Sequence, residues 1–364
     1  MWARAVGPAA DLRSVRHTPR PPYNRGGHTL RRAALAALIP LASCSSTGDR
    51  ASEQPRIPAV SAADSAPVDR SPHVERFINL NGAHLQLLDW GGDGPVLIFM
   101  PGFGNGAHIF DDLAPAFSDR FHSLAITPRG FPPSSAPDSG YTVTQLAEDV
   151  RGLLDSLQAS KAVLAGHSIS GAVMTRFASI HPNRLLAAVY LDAAYDFGEA
   201  YRRSQEAKRK APQPPADTMA AAFQSWRRQF PDWDSVREID AGMWNIDSAE
   251  TARRQILVQS LVTEVRSHPN EVWRLQAPAL SLCALGNMER GLGWLTPDSA
   301  RWEAARRYST EALRRKHAVC QEFARKVPHG QVVELDSGHY VFLDQQAEVV
   351  RAMRRFLDDV IQNH

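Results

Sequence analysis

From residue 73 onward, the chain alternates short apolar runs with turn residues. A hairpin is predicted first, because the alternating segments 77–80 and 84–88 flank Asn81-Gly82, a dipeptide that favours a tight type I′ turn. The runs that follow suit buried parallel strands, which are nearly continuous in hydrophobicity because both faces of the sheet are covered. These predicted strands are residues 96–100, 123–127, 162–165, 186–191, 279–284 and 332–335.

Helical periodicity occupies several connections between these runs, at residues 143–157, 172–180 and 346–361. The alternation of strand and helix predicts an α/β fold with a doubly wound, mostly parallel sheet. One connection, from about residue 195 to 276, is much longer and combines helical periodicity with several aromatic residues. We predict a helical insertion there, which is either a packed subdomain or a cap over a substrate pocket, and the two roles are compatible.

Residues 1–43 have the layout of a bacterial export signal. A charged region at Arg31 and Arg32 precedes an apolar stretch and then small residues before Cys44. The tetrad Leu41-Ala42-Ser43-Cys44 resembles a lipobox, and this resemblance implies cleavage before Cys44 and attachment of lipid to that cysteine. The alternative is a short apolar helix with a chance cysteine, since the stretch is shorter than the roughly 20 residues that span a bilayer.

The composition changes after the cysteine. Residues 44–72 are rich in Ser, Ala, Pro and scattered charges, so they bury too little apolar surface to offset the entropy lost on ordering. We predict a lipid-anchored flexible linker here and a folded domain at residues 73–364. The protein is therefore expected in the bacterial cell envelope, at the periplasmic or outer surface of a membrane that it contacts through the anchor.

The charge distribution does not indicate a nucleic-acid partner. The 364-residue chain has a formal net charge of +2, but residues 1–43 contain seven arginines and one aspartate, so the remainder carries −4. The cysteines Cys44, Cys283 and Cys320 lack the spacing of zinc ligands, and no cofactor fingerprint is visible. We predict no metal or cofactor, and the sequence leaves open whether Cys283 and Cys320 pair.

The segment after the predicted strand at residues 162–165 gives the clearest indication of a catalytic residue. Gly166-His167-Ser168-Ile169-Ser170-Gly171 lies between a strand and a helix, which is the context of a nucleophile elbow. The segment resembles the α/β-hydrolase superfamily, and the similarity extends from about residue 73 to the C-terminus. The resemblance implies that Ser168 is the nucleophile. Ser170 replaces the last glycine of the usual Gly-x-Ser-x-Gly pattern, and we expect the turn to tolerate this small residue.

The same resemblance assigns the base and the acid. His339 follows the last predicted strand, where the superfamily keeps its general base. The loop after the penultimate strand has no carboxylate before Glu289, whereas Asp192 directly follows residues 186–191 and matches a subset of the superfamily. We predict Asp192 as the acid. Asp196 and Glu289 remain alternatives, and a capping role is the other reading of Asp192.

Two backbone amides are expected to stabilise an oxyanion. Met100-Pro101-Gly102-Phe103-Gly104 resembles the His-Gly loop of the superfamily, with proline in place of histidine. The resemblance implies that the amides of Phe103 and Ile169 are the donors. The stretch 127–134 resembles another loop of the superfamily, and we expect Arg129-Gly130 within it to be structural.

These residues predict a carboxylesterase-like serine hydrolase that cleaves an ester or a similar small acyl substrate through an acyl-enzyme. Epoxide hydrolases and haloalkane dehalogenases of the superfamily have an aspartate at the elbow, which Ser168 disfavours. Lactonase, amidase, aminopeptidase, carbon–carbon hydrolase and perhydrolase chemistries use the same triad and stay open. The competing hypothesis from another class is a binding lipoprotein on a catalytically disabled hydrolase scaffold.

Overall fold

A computed structural model describes residues 71–200, 202, 249–267, 271–286 and 299–363. The chain divides into two units, and every described residue lies in the second, which begins at Asp64. The export signal, Cys44, almost all of the linker, much of the predicted insertion and Glu289 lie outside the described residues.

The described residues form one eight-stranded sheet with helices on both faces. The strands are β1 (Val74–Leu80), β2 (Ala83–Gly91), β3 (Val96–Met100), β4 (His122–Ile126), β5 (Ala162–His167), β6 (Leu185–Leu191), β7 (Ala279–Ala284) and β8 (Gly330–Leu335). The α-helices are α1 (Val143–Ser156), α2 (Ser170–Ile180), α3 (Ala249–Ser267), α4 (Ala300–Lys326), α5 (Val341–Asp344) and α6 (Gln346–Asn363). Short 3₁₀ helices occur at Ala107–Phe110, Ala114–Phe117, Pro182–Arg184 and Val272–Arg274.

The strand order is β1-β2-β4-β3-β5-β6-β7-β8. The β1–β2 hairpin is antiparallel, β2 is antiparallel to β4, and all remaining neighbours are parallel. At the hairpin, Asn81 and Gly82 both have positive φ, +48° and +77°, as a type I′ turn requires. The predicted doubly wound, mostly parallel α/β fold is therefore confirmed.

Side chains along each inner strand point alternately into two layers of the core, one on each face of the sheet. In β3, Leu97 and Phe99 face one layer while Ile98 faces the other, because successive side chains point to opposite faces of a sheet. Helices α1, α2 and α3 cover the Ile98 side, and α6 covers the opposite side with Met353 among its buried residues. Both faces are covered, which explains why inner strands such as β3, β5 and β7 are so uniformly hydrophobic.

Strand register brings the carboxyl ends of the parallel strands to one edge of the sheet. Met100 is opposite Gly166, His167 is opposite Leu191, and Ala284 is opposite Leu335. In open α/β sheets, ligands bind outside the carboxyl ends of the strands. The loops after β3, β5, β6 and β8 therefore converge on one place.

Helix α4 was not predicted from the sequence. It is 27 residues long, about 40 Å, and it packs along β7 and β8. Ser299 caps its start by accepting a hydrogen bond from the amide of Trp302 at 3.1 Å. Its pattern is hard to recognise because its buried residues are few and widely spaced: Ala305, Ser309, Cys320 and Phe323. Among the described residues, no helix is both long and apolar enough to cross a membrane.

Candidate active site

Ser168 lies at a sharp turn between β5 and α2. Its backbone φ is +52°, in the left-handed region that non-glycine residues rarely adopt and that recurs at functional sites. The backbones behind the turn are close together, since a Cβ added to Gly171 would lie 2.1 Å from the carbonyl oxygen of Ala193. This strand–turn–helix geometry is that of a nucleophile elbow.

Ser170, which departs from the usual glycine of the motif, is accommodated by a specific contact. Its buried Oγ donates a hydrogen bond to the carbonyl oxygen of Pro101 at 2.5 Å. The hydroxyl therefore joins the elbow to the loop that follows β3. The turn tolerates serine here, as expected from its small size.

The loop after β3 lies against the nucleophile. A Cβ added to Gly102 would lie 3.2 Å from the Cβ of Ser168, so Phe103 is the next residue of a segment already beside the elbow. Ile169 is the N-cap residue of α2, and the first amides of a helix have no intrahelical acceptor. Both amides predicted to form the oxyanion hole thus belong to segments that flank Ser168.

His339 is hydrogen-bonded to Asp192. The distance from His339 Nδ1 to Asp192 Oδ2 is 2.7 Å; the carboxylate side chain is only 3% exposed, whereas the imidazole is 41% exposed. A buried carboxylate and a solvent-facing imidazole in this contact match the orientation of a base by an acid. The structure therefore brings together the two residues predicted to act with Ser168.

The backbone around Asp192 fixes its carboxylate. Asp192 has φ +49°, and its amide donates to the carbonyl oxygen of Leu282 at 2.8 Å. Its Oδ1 accepts a hydrogen bond from the amide of Ala284 at 3.1 Å. Asp192 follows β6, and these two hydrogen bonds fix it to the end of the neighbouring strand, β7. Strand β7 has no carboxylate of its own.

Lys316 on α4 is a further partner of the acid that the sequence did not reveal. Its Nζ donates to Asp192 Oδ2 at 2.7 Å. Burial raises the pKa of Asp192, but the Lys316 charge and the His339 hydrogen bond outweigh it and lower that pKa to about 2. Asp192 is consequently ionised at neutral pH. Nothing in the local sequence distinguishes Lys316 from the basic residues beside it.

His167, next to the nucleophile in sequence, supports the loop of the base. Its ring is buried, with its centroid 4.5 Å from that of His339, and its Nε2 lies 3.1 Å from the His339 carbonyl oxygen. Burial, and then the proximity of His339, hold the pKa of His167 well below its usual value. A neutral imidazole with its proton on Nε2 fits this contact as a donor. From the sequence alone, we expect His167 to pack beside the nucleophile or to frame the pocket rather than to act in catalysis.

Tyr195 reaches the nucleophile from the start of the insertion. Its phenol is hydrogen-bonded with Ser168, which lowers its pKa, but burial and the nearby Asp192 charge raise that pKa to a larger extent. The phenol is therefore neutral at physiological pH. An aromatic residue three positions after the acid gave no recognisable signal in the sequence.

The alternative acid Asp196 has a different role in the structure. Its Oδ1 accepts a hydrogen bond from the amide of Glu199 at 2.7 Å, and its carbonyl oxygen accepts one from Ala200 at 2.9 Å. These contacts are those of a capping aspartate at the start of a helical turn. Glu289, the other alternative, lies outside the described residues.

The structure answers the question left open about the cysteines. Cys283 in β7 and Cys320 in α4 form a disulfide that joins positions 37 residues apart. This crosslink lies next to Ala284, whose amide binds Asp192. It fastens α4 to the sheet at the acid.

One group of potential metal ligands lies elsewhere in the described residues. His73, His108 and Asp111 place ligand atoms within 4.8 Å of one another. His108 Nδ1 is 3.0 Å from Asp111 Oδ2, and its Nε2 is 3.4 Å from Gln86 Nε2. Because both ring nitrogens of His108 already face protein groups, we assign no ion to this cluster.

Comparison with protein families decides the classification. Residues 97–352 match the model of the alpha/beta hydrolase family, which is more than half of the chain. The chain belongs to the α/β-hydrolase family. The matched segment begins in β3 and ends in α6, so it contains Ser168, Asp192 and His339.

Two curated α/β-hydrolase relatives resemble parts of the chain. The 2-(acetamidomethylene)succinate hydrolase of Mesorhizobium japonicum is 32% identical over 101 residues, which cover 28% of this chain and 36% of that protein. Epoxide hydrolase A of Mycobacterium tuberculosis is 34% identical over 122 residues, covering 32% of this chain and 38% of that protein. The chain thus spans little more than a third of the length of these two relatives.

A solved structure shows the same α/β-hydrolase fold over a greater length. A thermophilic esterase from Thermogutta terrifontis has a TM-score of 0.54 and 22% sequence identity, with 79% of this chain and 99% of that chain covered. At this identity, the likeness establishes the fold.

Proposed function

We propose that this α/β hydrolase is a serine hydrolase that cleaves an ester or a similar small acyl substrate through a covalent acyl-enzyme. The observation that carries the proposal is the convergence of an elbow serine and the Asp192–His339 pair, with 2.7 Å between Asp192 Oδ2 and His339 Nδ1, at one edge of the sheet. Serine is a weak nucleophile at neutral pH and needs such a base.

In the first half of the proposed reaction, Ser168 Oγ bonds to the carbonyl carbon of the ester while its proton passes to His339 Nε2. Asp192 holds Nδ1–H of the imidazole, which leaves Nε2 for this transfer. The amides of Phe103 and Ile169 stabilise the negative oxygen of the tetrahedral intermediate. The bond to the alcohol then breaks, and the imidazolium returns its proton to the departing oxygen.

Water completes the proposed cycle in the same way. His339 accepts a proton from water, the hydroxide oxygen bonds to the acyl carbon, and the bond to Ser168 breaks as Oγ regains a proton from the imidazolium. The acid product leaves and the enzyme returns to its starting state. No electron transfer and no additional reactant are required.

The nucleophile favours this chemistry over that of the epoxide hydrolase relative. The superfamily resemblance places an aspartate at the nucleophile elbow of epoxide hydrolases, whereas this chain has Ser168 there. The esterase in the structural comparison and the hydrolase from M. japonicum support a small organic substrate. Lactonase, amidase, aminopeptidase and perhydrolase activities share the proposed triad, so a substrate panel must separate them.

Covalent labelling tests the proposal. A fluorophosphonate probe should label the purified chain at Ser168, as shown by mass spectrometry of the modified peptide, and Ser168→Ala should abolish labelling while circular dichroism stays unchanged. The labelled enzyme should no longer cleave p-nitrophenyl esters of short acids. If the folded protein is neither labelled nor active on esters, lactones and amides, the disabled binding scaffold replaces this proposal.

We also propose that the protein is exported and lipid-anchored through Cys44 in the bacterial cell envelope. The Cys283–Cys320 disulfide supports export, because structural disulfides persist mainly in oxidising compartments. Cys44→Ala should release the protein from membranes into the soluble envelope fraction, with Cys283→Ser as a control that keeps the lipobox. Intact protein retaining residues 1–43 in the cytoplasm would contradict the proposal.

A further inference from the structure

Oxygen Oδ2 of Asp192 is shared by two donors of different kinds. His339 Nδ1 and Lys316 Nζ each lie 2.7 Å from it, while Oδ1 is occupied by the Ala284 amide at 3.1 Å. An imidazole that gains and loses a proton during turnover therefore shares its acceptor with a permanent cation. This arrangement differs from an acid whose only cationic partner is the imidazolium.

We infer that Lys316 is a positioning residue of the proposed hydrolase, which tunes the basicity of His339 through Asp192 and is held in place by the Cys283–Cys320 disulfide. The inference rests on the proposed function, because it concerns the same acid and base.

The electrostatic direction follows from the contacts. Asp192 stabilises the imidazolium form of His339, and the ammonium group of Lys316 offsets part of that negative charge. It also repels a proton on the imidazole directly. The low pKa of Asp192 is consistent with a carboxylate that accepts hydrogen bonds from both Lys316 and His339. Without Lys316, the imidazolium should persist to higher pH, so the serine would lose its base over a wider acid range.

The other titratable groups around the imidazole do not compete with this effect. Burial raises the pKa of Tyr340 to about 12 and raises that of Tyr195 further, whereas burial lowers that of His167, so all three are neutral near pH 7. In the described part of the chain, the groups identified around His339 are Asp192, Lys316, His167, Tyr195 and Tyr340. Lys316 is therefore the permanent positive charge among them.

The disulfide connects this cation to the acid mechanically. Cys320 follows Lys316 by four residues, so the two side chains lie on the same face of α4. Its partner Cys283 immediately precedes Ala284, whose amide binds the other carboxylate oxygen. One crosslink therefore sets the distance between the two elements that hold Asp192. The residues that α4 buries are few, and Cys320 is one of them.

Reduction should loosen that attachment. Two electrons and two protons from a dithiol convert the disulfide into two thiols and leave the dithiol oxidised. Helix α4 can then move away from β7, and Lys316 loses its fixed distance to Asp192. The expected consequence is the same displacement of the pH profile that removal of the ammonium group produces, in the same direction.

The first test compares Lys316→Met with Arg315→Met. Arg315 is the adjacent residue, pairs with Glu311 at 3.0 Å on the exposed side of α4 and has the same charge, so it controls for loss of one positive charge. We expect the acid limb of kcat/KM for a p-nitrophenyl ester to move upward by about half to one pH unit in Lys316→Met, since the side chain is partly exposed and screened. Lys316→Arg should restore the limb.

The second test uses the disulfide. Reduction of the native enzyme, with thiols counted by Ellman's reagent, should move the acid limb upward, and it should add nothing in Lys316→Met because both changes remove the same contact. Circular dichroism must remain native during the measurement. Loss of the fold on reduction would assign the disulfide to stability and overturn its positioning role.

The outcomes separate this inference from the proposed function. Absence of fluorophosphonate labelling at Ser168 rejects the function, and this inference with it. If Ser168 is labelled but Lys316→Met and Arg315→Met have superimposable profiles, only the role of Lys316 is rejected. An additive shift on reduction of Lys316→Met would reject the link between the disulfide and Lys316.

Discussion

Two buried aspartates of this hydrolase each meet a cation, but their surroundings differ. Asp149 on α1 accepts hydrogen bonds from Nε and Nη2 of Arg129, both at 2.7 Å, and the two side chains are 5% and 2% exposed. Asp192 is just as buried, but its partners Lys316 and His339 are 34% and 41% exposed. Asp149 and its counterion are both shielded from solvent, whereas Asp192 is buried but has partners that are partly exposed at the candidate active site.

This difference teaches how the same side chain serves structure or chemistry. Asp149 receives a planar, bidentate guanidinium and a further hydrogen bond from Asn81 Nδ2 at 2.9 Å. Asp192 receives one fixed amide, one flexible ammonium and one imidazole that can change its charge. The contacts of Arg129 agree with the structural role expected for its loop.

The largest expected difference between the two aspartates is in kcat, when each carboxylate is replaced by an amide. Asp192→Asn should reduce kcat by about 10⁴-fold with the fold intact, because an amide favours the wrong tautomer of His339. Asp149→Asn should leave the kcat of folded enzyme within a few-fold. Ester kinetics normalised to the folded fraction from circular dichroism measure both. Comparable kcat losses in the two variants would show that the distinction is wrong.

Removing Arg129 from its buried ion pair with Asp149 should lower stability rather than catalytic activity. Arg129→Met should lower the free energy of unfolding by about 3–5 kcal/mol, because it leaves an uncompensated charge on buried Asp149. The double variant Arg129→Met, Asp149→Leu should recover most of this loss, since the unpaired charge is gone. Guanidinium unfolding of both variants checks the expectation, which fails if the double variant is less stable than the single one.

A smaller expected effect concerns the free energy of unfolding in acid, where the contribution of Asp192 changes with pH. Its pKa is lowered to about 2 in the folded state, so its ionisation stabilises the fold above about pH 4, and this contribution disappears as the pH falls toward 2. The stability difference between the native protein and Asp192→Asn should therefore shrink by about 2 kcal/mol between about pH 5 and 2. Unfolding curves across this range measure it. A difference that does not change with pH would contradict the lowered pKa.

The sequence predicted the parts of the site that local pattern encodes. Ser168 and Asp192 each follow a strand directly, His339 lies four residues after the end of β8, and parallel strand ends meet at one edge, so their proximity could be anticipated from topology. The strands were placed to within a few residues, because burial on both faces makes them uniformly apolar.

The partners from distant segments could not be predicted. Lys316 is 124 residues away from Asp192 and belongs to α4, a helix whose sparse apolar positions hide it from periodicity arguments. The pairing of Cys283 with Cys320 was likewise open, because connectivity depends on distance in the fold. The hydrogen bond between Tyr195 and Ser168 depends on how the chain turns after β6, which no local motif specifies.

The contact between Gly171 and Ala193 has a consequence for laboratory evolution of the proposed hydrolase. A single methyl group at position 171 would have to displace main-chain atoms next to Asp192, whereas the Ser170 side chain only donates a hydrogen bond to the Pro101 carbonyl oxygen. In a saturation library, position 171 should accept glycine alone, while position 170 should yield active clones with small residues. Mutations intended to broaden the range of substrates should therefore be made at positions other than 170 and 171.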